Sequence, residues 1–421
     1  MKKNDLSRRD FVKNSAAAIA ATSAVGSISF VKASAVRGTQ ANSMVEVGWV
    51  GAGGQGTRDA QLLEQTGKAK IVAVADYFQD QLDKAKTRFK VEDKNAFKGI
   101  DGYKAVMSSN VDAVLLTTPP GFRPDHFKAA VAAKKHIFAE KPLAVDVPGC
   151  RVVMEAGERA KSQNLTVVVG LQRHYSKAYR ACKKLIDEGA IGKAIMAHSA
   201  WDQGNIWNER RSRNPKEWPT QMDYEVRYWY FFKWLCGDHI VEQNIHNIDV
   251  INWMLNAHPI KASGFTALND KERGFGDIND HYAITYEYAN GVLSSNTCVQ
   301  VDGVRGDVSE TIRGTKATFT TSAGKGGTGG ARIEPTGRNA KGPIYQYEGT
   351  DDKHYDQEAA TFVASVLGTG EGEDKYRNDT KYGVESTFTA ILGRDAASKG
   401  RILTWDEYWK SNEKLAFKGG A

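Results

Sequence analysis

Apolar residues follow two different rhythms along this chain, and the change of rhythm divides it. Five short apolar runs come first: Val45-Glu46-Val47-Gly48-Trp49-Val50, Ile71-Val72-Ala73-Val74-Ala75, Val111-Asp112-Ala113-Val114-Leu115-Leu116, His136-Ile137-Phe138-Ala139 and Val167-Val168-Val169-Gly170-Leu171. Near-continuous apolar runs are what strands buried on both faces require. Helix-compatible stretches separate them, from Gly56 to about Gln65 and over about 79–90 and 124–133. The alternation predicts an α/β fold that begins with a doubly wound parallel sheet over 44–171. Beyond it the rhythm shortens. A helix near 176–188 leads into strand-like runs at 194–200, 260–267, 281–288, 292–300, 308–312 and 317–321, several joined by tight turns such as Asn290-Gly291 and Gly314. Such spacing predicts antiparallel pairing in a second, C-terminal domain over 172–409, closed by helices near 355–367 and 382–399. The glycine-rich stretch 322–332 (Gly324, Gly326, Gly327, Gly329, Gly330) reads as a long loop, because no strand feeds it and no helix follows.

The turn after the first run carries the first chemical signal. Gly51-Ala52-Gly53-Gly54-Gln55-Gly56 links strand to helix, and Asp76 ends the second strand 25 residues after Gly51. In a dinucleotide fold the first glycine turns the chain, the second admits the pyrophosphate, and the third lets helix and strand pack closely. The helix N-terminus then offers unpaired N–H groups to the phosphates. Asp76 suits the adenosine ribose and would repel a 2′-phosphate, and Tyr77-Phe78 supply no arginine to offset it, so NAD is expected over NADP. Thr117-Thr118-Pro119-Pro120 ends the third run, where ligands gather at the carboxyl edge of a parallel sheet.

Composition adds a targeting reading and removes others. The chain has 421 residues, 41% hydrophobic and 25% charged, which suffices for two globular domains. Ser7-Arg8-Arg9-Asp10-Phe11-Val12-Lys13, an Ala-rich stretch over 16–31 and Ala33-Ser34-Ala35 predict a twin-arginine signal over 1–35, cleaved near Ala35, and a periplasmic protein. That segment holds six Lys/Arg against two acids, so its removal takes the formal charge from +7 to about +3. No basic stripe suits nucleic acid, and no later stretch is apolar enough to span a membrane. Cys150, Cys182, Cys236 and Cys298 form no CxxC pair and read as buried thiols.

Two constellations could carry chemistry. Lys141 of Glu140-Lys141-Pro142 ends the fourth run, where an ammonium beside a nicotinamide could stabilise an alkoxide or relay a proton. His239, Glu242, His246 and Asp249 are three to four residues apart on a predicted helix that Asp238 can cap. A general acid/base is the first reading of that face. A polar inter-domain helix is the second, and a metal site the third. Six of nine tryptophans (Trp201, Trp207, Trp218, Trp229, Trp234, Trp253) also crowd this region, with Arg210, Arg211, Arg213 and Arg227 among them. They suit either a sugar-binding face or an aromatic interface.

In this order, the glycine turn, Asp76, Thr117–Pro120, Glu140-Lys141-Pro142 and Glu242 through His246-Asn247-Ile248-Asp249 resemble the Gfo/Idh/MocA oxidoreductases over about 44–409. The resemblance implies a Rossmann domain followed by an α/β domain with a large, mainly antiparallel sheet that serves a homo-oligomer, dimer or tetramer. It implies that Gly51, Gly53, Gly54, Gln55, Gly56, Asp76, Thr117, Thr118, Pro119, Glu140 and Lys141 hold the cofactor. Lys141, Glu242 and His246 would carry catalysis, with glutamate where the family usually has aspartate and no metal. Arg173, His174 and Tyr175 of Gly170-Leu171-Gln172-Arg173-His174-Tyr175, with Trp207 and Asp249, would meet the substrate. Exported relatives keep their nucleotide tightly bound. The expected activity is hydride transfer at a secondary hydroxyl of a sugar, glycoside or polyol. The rivals are a glycosidase working through transient oxidation, whose usual Tyr-Pro-Thr-His pattern is absent here, and a silent sugar sensor.

Overall fold

The structure, a computed structural model, describes residues 44–206, 214–269, 274–321, 330–337, 340–349 and 354–419. The expected signal segment, Trp207, Arg210, Arg211, Arg213 and most of the glycine-rich loop lie outside the described residues.

Five strands of the first sheet stand on the five apolar runs; a sixth, the short and half-exposed Ala96–Lys98, has no such run and is added at the sheet's edge. β1 (Val45–Val50), α1 (Gly54–Gln65), β2 (Ala69–Asp76), α2 (Gln79–Phe89), β3 (Ala96–Lys98), α3 (Gly102–Ser108), β4 (Ala113–Leu116), α4 (Arg123–Ala132), β5 (His136–Ala139), α5 (Val147–Ser162) and β6 (Val167–Val169) follow one another. The six strands lie in the order β3-β2-β1-β4-β5-β6, with every pairing parallel. The order reverses between β1 and β4, so a crevice opens there at the carboxyl ends of the strands. α5, which the five runs did not mark, buries Val147, Cys150, Val153, Ala156 and Ala160 at helical spacing. It starts because Asp146 accepts a hydrogen bond from the Gly149 N–H at 2.8 Å and Pro148 sits in its first turn.

The second sheet runs over β7 (Ala194–Gln203), β8 (Pro259–Ala267), β9 (His281–Tyr288), β10 (Leu293–Gln300), β11 (Asp307–Gly314), β12 (Ala317–Thr320), β13 (Arg332–Pro335), β14 (Tyr345–Gln346) and β15 (Leu403–Thr404). Its order is β14-β13-β12-β11-β7-β10-β9-β8-β15. All its pairings are antiparallel except that of β7 with β10. Among its helices, α6 (Lys177–Asp187), α7 (Gln221–Arg227) and α8 (Ile245–Leu255) precede α9 (Tyr355–Leu367) and α10 (Thr380–Lys399). α8 and α10 bury one face of the sheet, where Ile251, Ile284, Tyr286 and Ile391 share one core. The opposite face leaves Met196, Leu293 and Phe265 in solvent, Phe265 at 81% exposure.

The two layers are not strictly sequential. α9 returns to the first sheet, where Ala359, Phe362 and Val363 join the core of β1, β2 and α1. Phe362 packs edge-on against Phe138 of β5, with ring centroids 5.6 Å apart. All four cysteines are buried free thiols.

Candidate active site

One cavity of about 890 Å³ runs from the glycine turn across the switch point to the inner edge of the second sheet. Its nucleotide end is shaped by missing side chains. Gly51 has φ +98°, and a Cβ there would stand 2.5 Å from the Thr118 nitrogen. A Cβ on Gly56 would meet the Thr117 hydroxyl at 2.3 Å and the Gly51 carbonyl at 2.5 Å, so only glycine allows this closeness. Gly53 and Gly54 differ. Nothing lies within 4 Å of a Cβ at either, and both line the cavity. Gly53 caps α1 without a side chain, which leaves the first-turn N–H groups aimed at that space. This is a cradle for a pyrophosphate, and a pyridine dinucleotide fits it.

Around the crook, Thr117 donates to the Gly51 carbonyl at 2.6 Å and accepts from the Trp49 indole at 3.0 Å. Asp76 accepts the Ala52 N–H at 2.6 Å and the Phe78 N–H at 2.8 Å, bracing the turn while it lines the cavity. Burial raises its pKa. Gln55 bridges two buried acids, donating to Asp59 at 2.8 Å and Glu140 at 3.3 Å. Burial, then repulsion from Glu140, raises the Asp59 pKa.

The sequence offered no arginine beside Asp76, but the structure brings one from far along the chain. Arg227 of α7 lies 3.8 Å over the Phe78 ring and holds Asp80 with both nitrogens, at 2.6 and 3.1 Å. Tyr77 adds a 2.9 Å hydrogen bond to Asp223, and burial pushes its pKa up to about 12. α7 therefore clasps the end of β2 beside the cavity; the two terminal guanidinium nitrogens of Arg227 hold Asp80, while its Nε is buried without a partner among the described residues.

At the other end, Lys141 donates to the Glu242 carboxylate at 3.0 Å and to the Glu242 carbonyl at 2.8 Å. The side chains are 12% and 7% exposed, so water screens this pair little. Burial raises the Glu242 pKa, while Lys141 and Arg123 pull it down. Glu242 Oε2 is buried without a hydrogen-bond partner among the described residues. His246 faces the same cavity, its ring 5.6 Å from Trp201 and tilted 25°. The Trp201 indole N–H, Gln172 Oε1 and Asp202 Oδ1 are likewise buried without partners there, a set of polar atoms suited to a hydroxylated ligand.

Several expected substrate contacts sit elsewhere. His174 is stacked between Trp253 and Tyr382, at 4.0 and 4.2 Å, and bonds Asp249 at 2.8 Å. Asp249 also accepts from Ser386 at 2.8 Å, so both residues are tied into the core behind the cavity. Tyr175 donates to Asp379 at 2.5 Å and is buried. These three do not line the cavity. Arg173 does, but it is ion-paired with Glu310, which Asn247, Tyr179 and Thr321 also hold. His239 also leaves the predicted face. Ile240–Asn244 winds as a wider π turn, which changes the rotation per residue. The His239 ring lies 3.2 Å from the Cys298 sulfur, where burial depresses its pKa to about 3. Trp207 lies outside the described residues. Of the other tryptophans, Trp201 and Trp229 line the cavity, while Trp218 and Trp234 belong to the aromatic packing around α7.

Sequence reasoning missed Arg123. Its guanidinium is buried and bonds the carbonyls of Pro142 and Thr118. A cation in the first turn of a helix opposes the helix dipole, and that misfit was the available signal.

Residues 45–171 match the family described as "Oxidoreductase family, NAD-binding Rossmann fold", and residues 179–320 match the GFO/IDH/MocA C-terminal domain. The chain is 30% identical over 223 residues to an inositol 2-dehydrogenase of Azotobacter vinelandii, covering 53% of this chain and 57% of that protein. It is 33% identical over 216 residues to one of Pseudomonas fluorescens, covering 50% and 55%. The chain thus spans little more than half the length of the curated relatives it matches. Among solved structures, scyllo-inositol dehydrogenase from Lactobacillus casei with bound NAD(H) and scyllo-inositol superposes with a TM-score of 0.64 at 20% identity, covering 86% of this chain and 99% of that one. Aldose-aldose oxidoreductase from Caulobacter crescentus gives 0.66 at 15% identity with the same coverage; at these identities the likeness is one of fold. With both of its domains matched and the glycine cradle, the Glu140-Lys141-Pro142 turn and Glu242–His246 gathered on one cavity, the chain belongs to the Gfo/Idh/MocA family of NAD-binding oxidoreductases.

Proposed function

We propose that this chain is an NAD-dependent oxidoreductase acting on a secondary hydroxyl of a sugar, glycoside or polyol. The observation that carries this reading is the convergence of the Lys141–Glu242 pair, His246 and Trp201 on the cavity whose far end is the glycine cradle. Bound there, the nicotinamide supplies a site that accepts or returns hydride at the substrate carbon. The chain's own residues do the rest. Glu242 holds Lys141 in one place, so the ammonium can hydrogen-bond the substrate oxygen and stabilise it as an alkoxide. His246 takes the hydroxyl proton, and Trp201 beside it covers a CH-rich face of the ring. The inositol 2-dehydrogenase relatives support cyclic polyols as the first substrates to try.

Asp76, with Arg227 already held by Asp80, supports NAD over NADP. We read residues 1–35 as a twin-arginine signal that sends the folded protein to the periplasm with its nucleotide retained. Met196, Leu293 and Phe265 on the open sheet face support assembly with a second copy through that face. The deciding experiment denatures the purified protein, identifies the released nucleotide, and screens inositols, aldoses and glycosides for absorbance change at the nicotinamide band. Bound NAD(H) with polyol-dependent reduction is expected. Absence of both, or release of an aglycone without net NADH, would overturn the reading.

A further inference from the structure

We propose that Arg123 is a positioning residue for the reaction: it clamps the two turns that border the reacting end of the cavity and places a buried positive charge on the cavity that the Lys141–Glu242 pair lines. The inference rests on the proposed roles of Lys141 and Glu242. Arg123 opens α4, and its side chain is 2% exposed. Two of its nitrogens reach main-chain carbonyls, Pro142 just past Lys141 and Thr118 just past β4. One side chain thereby ties the carboxyl end of β4, which flanks the switch point, to that of its neighbour β5. A guanidinium suits this task because its fork reaches two acceptors at a fixed angle, whereas an ammonium is a single point.

The charge matters as well as the fork. No described carboxylate is within ion-pair distance of Arg123, although it lines the same cavity as Glu140 and Glu242. Burial lowers its own pKa to about 10, which still leaves it charged at neutral pH, and Glu242 and Glu140 favour that charge. In return Arg123 offsets part of the burial that would protonate Glu242. The groups facing Glu242 are Lys141 and Glu140 from the β5 turn, Arg123 from α4, Tyr230 and Cys236 from the segment before the π turn, and His246 from α8. Of these, Lys141 and Arg123 are the cations that lower its pKa against the effect of burial.

The sign follows directly. A Glu242 that must be ionised loses function as pH falls through its pKa, so removing Arg123 moves the acid limb of kcat/KM to higher pH. Two variants separate fork from charge. R123M removes both, and the acid limb should rise by about one pH unit. R123K keeps the charge, so its acid limb should stay in place while kcat falls on the order of 10- to 100-fold from loosened turns, with KM little changed. A second readout needs no turnover: reductive methylation of Lys141, followed by peptide mass spectrometry. It should be several-fold faster in R123M than in the wild type, with R123K between them.

An R123M acid limb that superimposes on the wild type, or an R123K enzyme with unchanged kcat, would overturn the proposal. Should R123M fail to fold, R123K alone decides the clamp, and an unchanged kcat there refutes it. If the wild type oxidises no polyol, the functional reading fails, and the Lys141 labelling rates still test the inference. Equal labelling in all three proteins would then sink it.

Discussion

The glycine crook makes a prediction that separates room for a ligand from room for the fold. Gly53 has φ −77° and ψ −171°, which alanine adopts without strain, and a Cβ there meets nothing within 4 Å. Gly53→Ala should therefore fold normally. The gain from a stiffer unfolded chain, about 0.4–1 kcal/mol, offsets the poorer cap of α1. The added methyl, however, projects into the space where the pyrophosphate approaches the first N–H groups of α1. Losing one charge-assisted hydrogen bond costs about 1.5–3 kcal/mol, or roughly 10- to 150-fold in NADH affinity. Gly56→Ala should behave in the opposite manner. Its Cβ would stand 2.3 Å from the Thr117 hydroxyl, 2.5 Å from the Gly51 carbonyl and 2.8 Å from the Trp49 indole nitrogen, so the fold itself must give way, at about 1–3 kcal/mol or more. Nucleotide content as purified, NADH titration by tryptophan fluorescence and urea unfolding would be measured on both variants. If Gly53→Ala bound NADH as the wild type does, the phosphates would not lie against this turn, and the cofactor placement would be wrong.

Three further outcomes follow from the geometry. Glu242→Gln leaves the Lys141 ammonium without its counter-charge, so it should lose about 3–5 kcal/mol of stability in urea unfolding along with most turnover; unchanged stability would mean the pair is not formed. Arg227→Ala removes a partly exposed ion pair with Asp80 and a cation–π contact with Phe78, together about 1–2 kcal/mol, and should speed nucleotide release several-fold in a stopped-flow chase while leaving kcat near wild type. Burial holds His126 at a pKa of about 3, below the 6.5 of an unfolded histidine. Its contribution is complete above pH 6.5 and is lost as pH falls toward 3, at about 1.4 kcal/mol per unit. A His126→Phe variant should show a correspondingly flatter fall in stability between pH 6.5 and 4.5, and an identical slope would refute the assignment.

The parts of this protein that are local in the chain were legible before any fold was known. The buried parallel strands, the glycine crook, Asp76 at the end of β2, Lys141 after β5, the buried thiols and the hairpin at Asn290-Gly291 all follow from period, turn chemistry and short spacing. Each depends on backbone rules that act within about one element's length. What tertiary structure decided was which side chains share the cavity. Helical spacing put His239, Glu242, His246 and Asp249 on one face, but the π turn and the packing of α8 sent His239 toward Cys298 and Asp249 toward His174, keeping Glu242 and His246 for the cavity. Arg173 was spent on Glu310, while packing carried Arg123 to the reacting end and Arg227 to the nucleotide end. A buried charge takes whatever partner the packed chain brings within reach, because leaving it unpaired costs more than any local preference can supply.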